Sequence, residues 1–254
     1  MYQVYVTTFS RFWSGDDGDV DTEAIEIVED FQAMLSEHYG KAITWSEVAD
    51  DDDIHITGLS KEDVAILQAV AGKLELAGNI DGLELKFAHP EECSVFEELL
   101  NTYEGEVEEQ KYASIFRLGC SPDAMVIPSE LSSPLTIDLG DEEDDEEPEE
   151  ADEKEFIGDI DVISALDLRE RINEIAKALK IDIKTTWEEL DAIDIDSLYT
   201  DDEEQNSREA FIISLRCLAL QLDSAIEKNS LLFISKFDED DYDEDDDYEV
   251  EDED

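Results

Sequence analysis

The sequence predicts an α+β unit over residues 1–139, with a mixed or antiparallel sheet and about three helices. An acidic linker (140–156), a small mainly helical unit (157–237) and a disordered acidic tail (238–254) are expected to follow. Three observations carry that reading. Before residue 140, β-rich runs alternate with stretches whose apolar residues recur at spacings of three and four. After residue 157 the helical period dominates. Two blocks contain no Lys or Arg: 141–153 has 11 acidic residues in 13, and 238–254 has 14 in 17. Blocks of like charge repel themselves and stay in water, so the first reads as a linker and the second as a tail.

The elements follow in order. Residues 2–9 are rich in β-formers and lead into a Gly/Asp loop. A helix is expected over 21–39, closed by Gly40, because the residue past a helix end often takes the left-handed conformation that glycine adopts without penalty. Short strands around 42–48 and 54–56 lead to Ser60. Its hydroxyl is placed to cap a helix running to about residue 77, with Asp63 at the third helical position. Residues 83–88 read as a strand. Pro90 suits a first helical position and starts a helix ending near Gly105, while 111–118 and 125–127 read as closing strands.

Beyond the linker, Ala165, Leu168, Ile172, Ile175 and Leu179 keep three/four spacing behind Ser164 and Asp167, a second capping pattern. Phe211, Leu215, Leu218, Leu222 and Ile226 repeat the spacing. Both stripes read as core seams, with Cys217 a small buried hydrophobe beside the second. Residues 231–237 add one strand before the tail.

The formal charge is -57, from 74 acidic and 17 basic side chains, yet 41% of the chain is hydrophobic, enough to pack a core at 254 residues. Removing the 25 charges of the two blocks leaves -32 on the other 224 residues, so acidity belongs to the folded body as well. Nucleic acids and anionic membranes carry the same sign of charge and would be repelled. The longest apolar stretch, 210–222, is broken by Arg216 and Gln221, and residues 1–13 lack the charged and apolar regions of an export signal. Cys93, Cys120 and Cys217 are an odd number at unpatterned spacings, which fits a reducing compartment and a cytoplasmic protein with unpaired thiols.

No constellation of reactive side chains survives inspection. Asp16, Asp17, Asp19, Asp21 and Glu23 alternate like the ligands of a calcium loop. Counted from Asp17, however, the sixth position is Thr22, where the turn needs glycine, and the twelfth is Val28, where a bidentate Glu belongs. That loop reads as solvated and as a cap for the helix behind it. Asp191, Asp194 and Asp196 are a weaker version of the same pattern. His89 and Cys93 stand four apart, but two ligands do not make a zinc site, and His38 and His55 fall in other elements. Nucleophile-elbow, phosphate-loop and dinucleotide motifs are absent. The chain is expected to be no enzyme, with no catalytic residue, metal or cofactor.

The helix over 21–39 is more informative. Ala24, Val28, Phe31 and Leu35 make an apolar seam, and Glu23, Glu26, Asp30 and Glu37 fall on the opposite side. Like charges four apart, as at Glu26 and Asp30, destabilise a helix by a few tenths of a kcal/mol, so stability does not select them. Asp50, Asp51, Asp52 and Asp53 add a second concentrated run. A compact chain of this size is roughly 45 Å across, and duplex DNA of that length carries about 26 phosphates. The -32 of the body is comparable.

The expected function is therefore an acidic DNA-mimic inhibitor. It would occupy the basic nucleic-acid-binding surface of a host enzyme, such as a restriction, recombination or CRISPR-type nuclease, through those eight residues. The alternative is an acidic chaperone or assembly factor for a basic protein such as a histone or ribosomal protein, acting through the tail. Either way the expected partner is a basic protein, with no direct nucleic-acid or membrane binding.

Overall fold

Residues 231–236 read LLFISK, and apolar side chains at consecutive positions of a strand point to both faces of a sheet, so both faces must be covered. That strand, β6 (Leu231–Lys236), lies at the centre of one six-stranded sheet. The others are β1 (Tyr2–Thr7), β2 (Thr57–Leu59), β3 (Asp123–Ile127), β4 (Leu135–Asp138) and β5 (Asp159–Ser164). The computed structural model describes residues 1–14, 22–47, 55–93, 109–138, 159–194, 200 and 202–237. The strand order is β2-β1-β6-β3-β5-β4. Neighbours run antiparallel except β3 and β5, which are parallel.

Helices cover both faces. On one side lie α3 (Lys61–Ala77), α4 (Ala113–Phe116), α5 (Ala165–Leu179) and α7 (Glu203–Lys228). Their apolar stripes meet Tyr2, Val4, Ala124, Val126, Ile163, Leu232 and Ile234 of the sheet. On the other side lie α1 (Phe9–Ser14) and α2 (Thr22–Tyr39), whose Phe9, Val28 and Leu35 pack on Met125, Ile127, Ile160, Val162, Leu231 and Phe233. A short α6 (Trp187–Asp191) precedes α7. The architecture is α+β.

The helix ends form as the sequence predicts. Ser60 Oγ accepts from Asp63 N while Asp63 Oδ2 accepts from Ser60 N, a reciprocal capping box. Ser164 caps α5 by accepting from Asp167 N. Gly40 has φ +63°, the left-handed value expected after α2.

Several expectations are corrected. Strands from residues 1–139 and 157–237 share the single sheet, so the boundary between an α+β unit and a helical one does not divide it. The linker expected at 140–156 and the tail expected at 238–254 lie outside the described residues. The run 111–118 forms the helical turn α4, which buries Tyr112, Ala113, Ile115, Phe116 and Leu118 together. Short apolar runs do not distinguish turn from strand by periodicity.

Residues 83–88 keep a strand's alternation, with Leu83, Leu85 and Phe87 inward. Their segment joins no sheet among the described residues; Phe87 N and Ala88 N instead donate to the Glu204 carboxylate at 2.7 and 3.0 Å. Likewise Ile43 and Trp45 are buried at alternate positions, but Ile43 N donates to Ser36 Oγ, and Ser46 N to Asn229 O. The strand expected at 54–56 forms at 57–59. Pro90 starts a 3-10 turn to Cys93; the rest of that expected helix lies outside the described residues.

Candidate functional site

Amphipathic spacing sets which side of α2 is free. Val28 and Leu35 are buried and Phe31 stacks on Phe9 at 5.0 Å, which turns Glu29, Asp30, Met34 and Glu37 outward. Of the residues singled out in the sequence, Asp30 and Glu37 are thus exposed on one face. Glu23 and Glu26 belong to the same helix, but their side chains lie outside the described residues, as do Asp50, Asp51, Asp52, Asp53 and the loop from Asp16 to Asp21. Glu29 and Met34, 41% exposed, were missed; the same helical spacing identifies them.

The segment that leads toward the Asp50–Asp53 run is pinned by Glu47. Its carboxylate accepts from Phe9 N, Ser10 N and Ser10 Oγ at 3.1, 3.0 and 2.8 Å, and from Trp45 Nε1 at 2.5 Å.

A groove of about 730 Å³ opens on the opposite side of the sheet, where the starts of α3 and α7 flank β2. Met1, Phe87, Ala210 and Ile213 supply its apolar floor, and Glu62, Asp63 and Glu209 its charge. Burial raises the Asp63 carboxyl above its ordinary range, against hydrogen bonds from Ser60 and Ser214 that pull it down. An adjoining open depression is lined by Asp202, Glu203 and Glu204 with His89, Thr200 and Gln205. Neither lining holds a Lys or Arg among the described residues. Sequence reasoning missed the groove, although Ile213, an isoleucine off the α7 seam, was a legible signal.

Comparison with family models, curated proteins and solved structures gives no match.

Elsewhere carboxylates meet cations in structural ties. The Arg171 guanidinium, 9% exposed, contacts Asp167, Glu170 and Glu174 at 3.1, 2.9 and 2.9 Å and lies over the Tyr112 ring. Burial raises Glu174, but hydrogen bonds from Lys111 and Tyr112 and the Arg171 charge outweigh it and hold the carboxyl below its usual range. Ser114 Oγ donates to Asp167 at 2.7 Å, a hydroxyl beside a carboxylate that is already committed to Arg171.

Among the described residues no group of three or more His, Cys, Asp and Glu could hold a metal ion. His89 is exposed and 3.6 Å from Glu91, while the Cys93 side chain lies outside the described residues. Cys217 is half-buried, and burial pushes its thiol up, so it is a poor nucleophile. No described helix is long and apolar enough to cross a membrane.

The charge is unevenly shared. The described residues hold 33 acidic and 16 basic side chains, a net of -17; the other 72 residues hold 41 acidic side chains and Lys154, a net of -40, and the two sum to -57. Among the described residues that are exposed, 21 are acidic and 10 basic.

Proposed function

We propose that this chain is an acidic inhibitor that occupies the basic nucleic-acid-binding surface of an enzyme of restriction, recombination or CRISPR type. The observation that supports it most is the exposed face of α2, where Glu29, Asp30 and Glu37 surround Met34 and no Lys or Arg occurs anywhere in the helix. An ordered row of carboxylates can be steered onto a groove whose lysines and arginines otherwise meet phosphates, and association by such steering weakens with salt. The test is inhibition of a panel of such nucleases and recombinases by the full chain, at low and high ionic strength. Loss of inhibition at high salt supports the reading; a panel untouched at low salt overturns it. In an electrophoretic shift assay the chain alone should retard neither duplex DNA, single-stranded DNA nor RNA.

One observation favours a second reading, an acidic chaperone or assembly factor for a basic protein. Of the -57 charge, -40 lies in the segments outside the described framework, and residues 238–254 alone contribute 14 acidic groups. Acidic tracts of that kind shield basic clients by charge density without needing an ordered face.

A further inference from the structure

We propose that the groove between α3 and α7 seats a short cationic amphipathic segment of the basic partner. An apolar side chain of that segment rests on Phe87, Ala210 and Ile213, and a flanking Lys or Arg meets Glu62 and Glu209. This rests on the reading above, that the partner is a basic protein, and adds to it a site that recognises shape as well as charge.

The size, the lining and the charge agree. About 730 Å³ is within the range of pockets that take a few side chains. Among the exposed described residues acidic side chains outnumber basic ones by 21 to 10, so a clustered apolar lining beside carboxylates is a local feature that water does not favour. An anionic occupant is disfavoured, since among the described residues the lining offers three carboxylates and no Lys or Arg, and the adjoining depression offers Asp202, Glu203 and Glu204. The helix N-terminus of α3 asks for no anion either, because Ser60 and Asp63 already satisfy each other there. Glu209 lies 3.5 Å from Arg208 Nη1 and Glu62 is exposed; a wholly apolar occupant would bring neither carboxylate a further cation, whereas a segment alternating apolar and basic residues meets the apolar lining and both carboxylates together.

α7 is built to present this lining. Phe211, Leu215 and Leu218 bury one side of the helix, and Asn206, Ala210 and Ile213 follow each other along a neighbouring stripe that faces the groove. Phe87 is fixed from below by its packing on Phe211, with ring centroids 5.5 Å apart, and from the backbone side by Glu204. The floor is thus formed before any partner arrives, which lowers the ordering cost of binding.

The experiment uses the full chain and two fluorescein-labelled probes, Lys-Leu-Lys-Leu-Lys and Lys-Gly-Lys-Gly-Lys, followed by fluorescence anisotropy at about 0.15 M salt. Equal charge means that acidic tracts bind both alike. Burying a leucine in the groove should make the first probe about tenfold tighter. Ala210→Arg, and separately the pair Glu62→Gln and Glu209→Gln, should remove most of that preference; circular dichroism confirms that each variant folds. A photo-crosslinker replacing either leucine should label α7 or residues 87–88 in the unaltered chain, which tests the site without any mutation.

Equal binding of the two probes overturns the groove and leaves the charge-based reading standing. A preference that survives Ala210→Arg, with crosslinks elsewhere, also overturns it. A leucine preference lost in the variants, in a chain that inhibits no enzyme of the panel, upholds the groove and sinks the inhibitor reading instead.

Discussion

A carboxylate taken wholly out of water must be met by donors, and Asp161 shows how this chain does it. The residue is fully buried on β5, where Oδ1 accepts from Thr136 Oγ1 at 2.6 Å, Oδ2 from Ser121 N at 3.2 Å, and Arg117 Nη1 lies 3.7 Å away. The group ties β4, β5 and the turn before β3 together. Asp161→Ala strands those donors, and hydrogen bonds to a charged group each contribute about 1.5–3 kcal/mol. We expect a loss of about 2–3 kcal/mol in urea unfolding; a change below about 0.5 kcal/mol would show that water replaces the carboxylate.

Tyr39 gives a pH-dependent counterpart. Its hydroxyl donates to Ser133 O at 3.0 Å, and burial pushes the phenol up to about 12. The folded chain therefore holds this proton more tightly than the unfolded chain, where tyrosine ionises near 10. The contribution is complete below about pH 10 and is lost as pH rises toward 12. Unfolding measured between about pH 9 and 11 should show stability falling, less steeply in Tyr39→Phe. Tyr2, Tyr5 and Tyr112 are raised in the same direction, chiefly by burial, so part of the fall should remain.

At the scale of an element, α2 separates folding from binding. Its buried side is Val28 and Leu35 and its outer side is acidic, so the charges can be removed without touching the core. Replacing Glu23, Glu26, Asp30 and Glu37 by Gln relieves like-charge repulsion, by a few tenths of a kcal/mol per pair. It also gives up the attraction of Glu23 and Glu26 for the positive helix N-terminus, which is of similar size. Stability should change by less than about 0.5 kcal/mol. Under the proposed function the same change should weaken inhibition at least about tenfold, mainly through the association rate. Full inhibition by the folded variant would move binding away from this face. In α3 the reciprocal cap is the counterpart for stability: Ser60→Ala should cost about 1 kcal/mol, read as a lower urea midpoint with an unchanged slope.

For the whole molecule the question is whether the ordered framework or the acidic tracts carry binding. The sheet ends with β6 at Lys236, and Phe237 N donates to Met1 O, so removing 238–254 leaves every described contact in place. The net charge falls in magnitude from -57 to -43, by the 14 acidic groups removed. Thermal unfolding should be unchanged. Inhibition should persist if an ordered face competes with DNA, and should collapse if the tract itself shields a basic client. Because exposed charges are screened over about 8 Å at physiological salt, either activity should weaken as ionic strength rises.

The sequence by itself determined what is written in short-range physics. The α+β class, the capping of α3 and α5, the end of α2 at Gly40, the seam of α7 and the outward placement of Asp30 and Glu37 all follow from spacing and from local hydrogen bonds. Tertiary structure decided what depends on distant partners. The alternation of 83–88 is that of a strand, yet its backbone meets Glu204, 117 and 116 residues away in the chain. Gln221, a polar break in an apolar run, is buried because its amide donates to the backbone carbonyls of Val4 and His55. β6 enters between β1 and β3 and so joins segments that composition separates. The groove exists only because α3, α7 and residues 87–88 converge, and no local pattern encodes where separate elements meet.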